Sequence, residues 1–168
     1  MDNPLVSVVM SNWNSEAYIE GAVESVLCSS YPNLELIVVD DCSSDNGPAR
    51  ARAKFGKDQR FRLLVNETNQ GLTKVFNRGW SEAQGKYVVI MHSDARVHPD
   101  CLGHLVHAME ADLTLGAAQG KILSLDKPTI IQSIGHTIDY FGVPMPGKGS
   151  GEEDHNQYDT PSETFDGW

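Results

Sequence analysis

Basic residues are scarce in this 168-residue chain, with 13 Lys and Arg against 23 Asp and Glu and a formal net charge of -10. Nucleic acid and anionic membrane surfaces bind through clustered cations, so neither is an expected partner. A small diphosphate ligand stays open, because a divalent metal can offset its charge without Lys or Arg. Cysteine is scarce too. Cys28, Cys42 and Cys101 show no C-x-x-C spacing, and one of any three must stay unpaired. They read as free thiols of a reducing compartment, which predicts a cytoplasmic protein. The start, MDNPLVSVVM, lacks a basic region, a long apolar stretch and a small-residue cleavage site, so no signal peptide is expected. Apolar runs fall far short of the ~20 residues of a spanning helix. Work at the inner membrane would therefore be peripheral, through a partner or a further segment.

Glycine-rich phosphate loops are missing as well. No G-x-G-x-x-G follows the first apolar run, and no G-x-x-x-x-G-K-[ST] occurs anywhere. A dinucleotide-dependent dehydrogenase and a P-loop NTPase are both poor readings. A nucleotide site, if present, must hold phosphate in another way, and a metal on a carboxylate is the common substitute.

What the chain does have is a rhythm. Leu5–Met10, Leu34–Val39, Phe61–Val65 and Lys86–Met91 are short apolar or β-branched runs that read as buried strands. Between them lie helical patterns: Glu16 to about Ser29 with Ser15 as its N-cap, Ala49–Phe55, and Leu72–Ala83 with a stripe of Leu72, Val75, Phe76, Trp80 and Ala83. Gly85 is expected to close the third helix in a left-handed cap, and Pro99 to open a fourth running to about Asp112. Gly116–Leu125 and Ile130–Ile138 are further candidate strands. This alternation predicts an α/β fold around a mainly parallel sheet. From Gly142 onward the chain is rich in Gly and Pro, then acidic, and is expected to be loop.

Open α/β sheets bind ligands beyond the carboxyl ends of their strands. Sorted by that rule, Ser11–Asn14, Asp40–Asp41, Asn66–Gly71 and His92–Asp94 gather at one edge. Any one cluster could be ordinary turn and cap chemistry. Four together, this rich in Asp and Asn, favour a binding site. Adjacent Asp40 and Asp41 should also raise one carboxyl pKa by like-charge repulsion.

The segments VSVVMSNWN, SVLCSSYPNLELIVVDDCSSD, NQGLTKVFNRGWSEAQGKYVVIMHSDARVHPD and GKILSLDKPTIIQSIGHTIDYFG resemble glycosyltransferase family 2, most of all its rhamnosyltransferase-like members. The match runs in order and at the family's spacing through essentially the whole chain. It implies a three-layer GT-A fold, truncated before its acceptor-side half, with a nucleotide-sugar-binding domain over 1–141 and a loop over 142–168. It also implies inverting transfer from a UDP- or dTDP-linked sugar to a glycan or lipid-linked acceptor in cell-surface polysaccharide synthesis. The alternative is a catalytically incomplete nucleotide-sugar-binding module.

By position, the resemblance places Ser11 and Trp13 at the base, Trp13 stacking on uracil or thymine. Asp41 would accept the base N3–H, with Asp40 beside it and Ser93 near the ribose. Asp94 would coordinate Mn or Mg, and Asn77 and Gly79 would form a phosphate-side or packing element. Simpler roles stay open: Trp13 could cover the sheet edge, and Asp41 and Asp94 could be caps. His92 departs from the family's D-x-D form and is a second candidate ligand, with a softer metal preference. His98, His104 and His107 read as surface or packing residues. The resemblance implies that the general base comes from the second half of the fold, which this sequence is not expected to reach. Glu152, Glu153, Asp154, Asp159, Glu163 and Asp166 have nothing in the sequence to fix them for proton transfer. An exposed apolar sheet edge is also expected, covered by a second copy or a partner chain.

Overall fold

Strand β1, Val6–Asn12, is buried along all of its residues, the polar Ser7, Ser11 and Asn12 included. The computed structural model describes residues 3–138 and 144–159. In chain order β1 is followed by α1 (Ile19–Leu27), β2 (Leu34–Asp40), α2 (Gly47–Phe55), β3 (Phe61–Val65), α3 (Leu72–Glu82), β4 (Tyr87–His92) and α4 (Cys101–Ala111). The four strands form one parallel sheet in the order β3-β2-β1-β4. The expected α/β fold with a mainly parallel sheet is therefore present.

The period-2 pleat sends alternate β1 and β2 residues to opposite faces. Val6, Val8, Met10, Leu36 and Val38 pack with Ile19, Val23 and Val26 of α1 and with Leu102 and Val106 of α4. On the other face Ile37 and Val39 meet Val75 of α3. Each such buried side chain contributes about 1.5–3 kcal/mol relative to exposure. Helices on both faces make three layers, and the ends of the central strands open between them.

Three local expectations are corrected. First, Ser15 does not cap α1: its hydroxyl donates to the Trp13 carbonyl, and its own carbonyl accepts from Tyr18 and Ile19 N–H. A turn thus precedes the helix, which starts at Ile19. Second, Gly85 is not a left-handed cap. Helix α3 ends at Ala83 with extended backbone, and a Cβ on Gly85 would lie 2.6 Å from Ser7 N and 2.7 Å from Leu5 O. Close approach to β1 is what requires glycine there. Third, the buried stripe of α3 runs through Val75 and Gly79, while Leu72 and Trp80 are exposed. Trp80 sits one residue, about 100°, round from Gly79.

The chain divides into two units, 1–107 and 108–168. The second contains an antiparallel sheet of β5 (Ile122–Leu123), β6 (Ile131–Ile138) and β7 (Pro144–Lys148). The strand expected over 116–125 shrinks to two residues with an irregular register. Residues 144–148, expected as loop, pair with β6 as an edge strand, a position that tolerates the missing N–H of Pro144 and Pro146. Lys121 Nζ joins the tail to this sheet at 2.9 Å from Asp154 Oδ1 and 2.6 Å from Asp159 Oδ1. The expected boundary at 141/142 lies outside the described residues.

Candidate functional site

Parallel register brings the ends of β1, β2 and β4 side by side, pairing Asn12 with Asp40 and Ser11 with His92. Their polar ends open into a cleft of about 600 Å³ lined by Ser11, Trp13, Asp41, His92, Ser93 and Asp94. All six were nominated from sequence. Asn12, Asn69, Gly71 and Leu72 line it too; Asn69 and Gly71 lie in the polar run after β3, but single-residue roles there were not legible.

Asp40 does not line the cleft. It is buried and accepts from Asn12 Nδ2 at 2.6 Å and Ser43 N at 3.0 Å, bracing the β2–α2 turn. Asp41, the next residue, points to the β3–α3 loop. Its Oδ1 accepts from Asn66 Nδ2 (2.7 Å) and Gln70 N (2.9 Å), and its Oδ2 from Gly71 N (2.8 Å). Burial pushes the Asp41 carboxyl up, but the hydrogen bonds from Asn66, Gln70 and Gly71 together hold it below the usual carboxylate range. The rise expected from two adjacent carboxylates is thus reversed at Asp41, because fixed donors surround it.

Trp13 is 57% exposed, with its ring outside the packed core. Its loop is nonetheless tied down. Asn14 N donates to Ser43 Oγ at 2.9 Å, Ser44 N to Asn14 Oδ1 at 2.8 Å, and Glu16 N to Asp45 Oδ2 at 2.8 Å. The β1–α1 and β2–α2 loops therefore form one braced rim.

Across the cleft, Ser93 is buried and its N–H donates to the Ser11 carbonyl at 3.0 Å. His92 Nδ1 lies 3.0 Å from Ser11 Oγ, and its ring meets Phe76 edge-on at 5.5 Å between centroids. Nε2 is the ring nitrogen left over. Asp94 is exposed and makes no hydrogen bond or ion pair among the described residues. No group of three or more His, Cys, Asp or Glu assembles among the described residues. Asp94 offers carboxylate oxygens of the kind Mn and Mg prefer, whereas the imidazole of His92 is a softer donor.

Asn77 and Gly79 lie on α3 and do not line the cleft. Asn77 is exposed, while a Cβ on Gly79 would meet Val9 Cγ1 at 2.2 Å. His98, His104 and His107 are exposed. Of the late acids, Asp154 and Asp159 pair with Lys121, Glu152 accepts from the Tyr158 hydroxyl, and Glu153 lies 3.7 Å from His155 Nε2. Glu163 and Asp166 lie outside the described residues. No described helix is long and apolar enough to cross a membrane.

An uncharacterized glycosyltransferase of Haemophilus influenzae is 37% identical over 102 residues, 61% of this chain and 41% of the relative. WfgD of Escherichia coli, a UDP-Glc:alpha-D-GlcNAc-diphosphoundecaprenol beta-1,3-glucosyltransferase, is 38% identical over 94 residues, 56% of this chain and 36% of the relative. Among solved structures, the mannosyltransferase PcManGT of Pyrobaculum calidifontis, in complex with GDP-Man and Mn2+, matches with a TM-score of 0.60 at 26% identity. That match covers 82% of this chain and 35% of the mannosyltransferase. The chain thus spans about two fifths of the length of these curated relatives. The description Glycosyl transferase family 2 fits residues 7–145, well over half of the sequence, and the chain belongs to that family.

Proposed function

We propose that the strand-end cleft binds the nucleotide of a UDP- or dTDP-linked sugar, and that this chain is the donor-binding part of a family 2 glycosyltransferase, without turnover alone. The observation that carries this reading is the state of Asp41. It faces the cleft as an ionised, acceptor-only carboxylate with three protein donors already in place. About four lone-pair positions are available on a carboxylate, which leaves room for one more N–H. Uracil and thymine offer one such N–H, at N3. Guanine offers N1–H and an adjacent amino group, and suits this site less well.

In this reading Trp13 stacks on the base, Ser11 closes the base side and Ser93 lies near the ribose. Asp94, with His92, holds Mn or Mg. The ion's charge would offset the diphosphate and stabilise it as a leaving group. Gly79 serves packing of α3 on the sheet, with Asn77 beside it.

Transfer with inversion, to a glycan or lipid-linked acceptor in cell-surface polysaccharide synthesis, is the fuller reading, drawn from relatives of which this chain spans about two fifths. The lipid-diphosphate acceptor in the name of the Escherichia coli relative supports it. No described residue is assigned as the base. The β4 edge of the sheet, where Ile90 is 49% exposed, would be covered by a second copy or a partner chain. A clean monomer by solution mass would argue against the second copy.

Calorimetric titration with UDP, dTDP and GDP, with and without Mn, tests the nucleotide reading. UDP and dTDP should bind more tightly than GDP, and Asp94→Ala or omission of Mn should weaken binding tenfold or more, on the order expected for lost charge stabilisation of a diphosphate. Binding indifferent to both changes would sink the assignment, and failure of every nucleotide would leave a purely structural α/β domain.

A further inference from the structure

Asn66 is a buried amide held between two charged side chains. Its Nδ2 donates to Asp41 Oδ1 at 2.7 Å, and its Oδ1 accepts from Arg78 of α3. Arg78 also donates to the Val65 carbonyl at 3.0 Å, and Asn66 N donates to the Asp40 carbonyl at 2.8 Å. Both ends of the amide are thus fixed by chemistry. A guanidinium has donors only, so the oxygen must face Arg78 and the NH2 must face the carboxylate. Without Arg78 only the carboxylate fixes the amide's sense, and a turned amide, with its oxygen toward Asp41, becomes accessible if Asp41 takes up a proton. A carboxylate facing that oxygen would favour its protonated form, which donates where the ionised form only accepts.

We propose that Arg78, acting through Asn66, is a positioning residue for base selection: it sets the sense of the Asn66 amide, which keeps Asp41 an acceptor and so makes the cleft prefer a base edge bearing N–H over one bearing a bare ring nitrogen. This rests on the proposed binding of the nucleotide base at Asp41. Uracil has N–H at N3 and cytosine has an unprotonated nitrogen at the same place, so UDP and CDP form the matched pair of probes. Arg78 lies on the outer side of α3, beside a separate small recess formed by Val65, Asn66, Glu67, Thr68, Gln70 and Arg78, and does not line the cleft itself. Its hydrogen-bonded link to the Asp41 carboxylate runs through the Asn66 side chain.

The test is calorimetric affinity for UDP and CDP in excess Mn, for the wild-type chain and for Arg78→Ala, Arg78→Lys and Asn66→Ala. Wild type should prefer UDP. That preference should fall roughly tenfold in Asn66→Ala, the order of one charge-assisted hydrogen bond, and several-fold in Arg78→Ala. Arg78→Lys should restore most of it, because an ammonium also has donors only. If wild type prefers UDP and Arg78→Ala keeps the full preference, the positioning role is wrong while the base reading stands. Equal weakening of UDP and CDP in Arg78→Ala, with no change in their ratio, marks a merely structural role and also overturns it. If wild type shows no preference for UDP, the base reading itself fails. Should Asn66→Ala not fold by circular dichroism, the comparison of Arg78→Ala with Arg78→Lys decides the matter alone.

Discussion

Ser11 Oγ lies 3.0 Å from His92 Nδ1, joining the ends of β1 and β4, which pair directly in the sheet. With Phe76 against the ring, the imidazole is fixed from two sides and Nε2 is the nitrogen available to a ligand. If that nitrogen helps to hold the metal, His92→Asp should move metal preference from softer ions toward Mg and Mn. Titration of UDP in the presence of Mg, Mn, Co or Zn would read this, with the largest change expected for Zn. An unchanged order of metals would remove His92 from the ligand set and leave Asp94 alone.

Trp13 gives a cleaner readout, because its ring is largely in solvent and contributes little to the core. Base stacking on an aromatic is worth about 1–3 kcal/mol, so Trp13→Ala should weaken UDP binding by roughly 5- to 150-fold. The melting temperature should barely move. Trp13→Tyr should recover most of the affinity. Loss of stability without loss of affinity would assign the ring to covering the sheet edge.

Asp41 should leave a signature at low pH. Its folded-state pKa is depressed, so the stability it contributes is present above the unfolded value and is lost as pH falls through the folded one. The window therefore lies below about pH 4, where an ordinary Asp titrates. Asp41→Asn removes the charge and turns one accepting position into a donor facing other donors. It should cost about 1–3 kcal/mol at pH 7. The gap between variant and wild type should narrow as pH drops below about 4. Urea unfolding at pH 7 and pH 3 measures both terms, and a gap that stays constant with pH would show that Asp41 is not ionised in the fold.

The first four strands were legible as short, mostly apolar runs, and in the two central ones, Val6–Asn12 and Leu34–Asp40, the apolar residues are buried on both faces of the sheet. Four polar clusters at strand ends then located the cleft. Exposed positions were harder. Periodicity put Trp80 on the buried side of α3, since glycine carries no hydrophobic signal and Gly79 is the residue that meets the sheet. Ser15 looked like a cap because its side chain fits the role, but the hydroxyl turns back to Trp13. The bonds from Asn66 and Gly71 to Asp41 join residues 25 and 30 positions apart. Such links depend on the packed register of β2 and β3, which no local pattern records.

Two residues flanking Asp41 in space carry unusual backbone angles, and they make opposite predictions. Cys42 has φ 60 with an exposed side chain. A left-handed L-residue costs roughly 1–2 kcal/mol, and glycine avoids most of that at a smaller entropic cost. Cys42→Gly should therefore stabilise the chain by about 0.5–1 kcal/mol, seen as a higher urea midpoint with an unchanged slope. Gly71 has φ 82 and ψ 158, a region essentially reserved for glycine, and its N–H donates to Asp41 Oδ2. Open space surrounds the site of a Cβ there, so Gly71→Ala introduces no clash. The strain is purely conformational, of order 1–3 kcal/mol, and turning the backbone to relieve it would withdraw the N–H from Asp41. Gly71→Ala should thus weaken UDP binding as well as stability, whereas Cys42→Gly should raise stability and leave affinity within about twofold. A Gly71→Ala variant that loses stability alone would mean that its N–H can be spared, and that Asn66 and Gln70 suffice to hold the carboxylate.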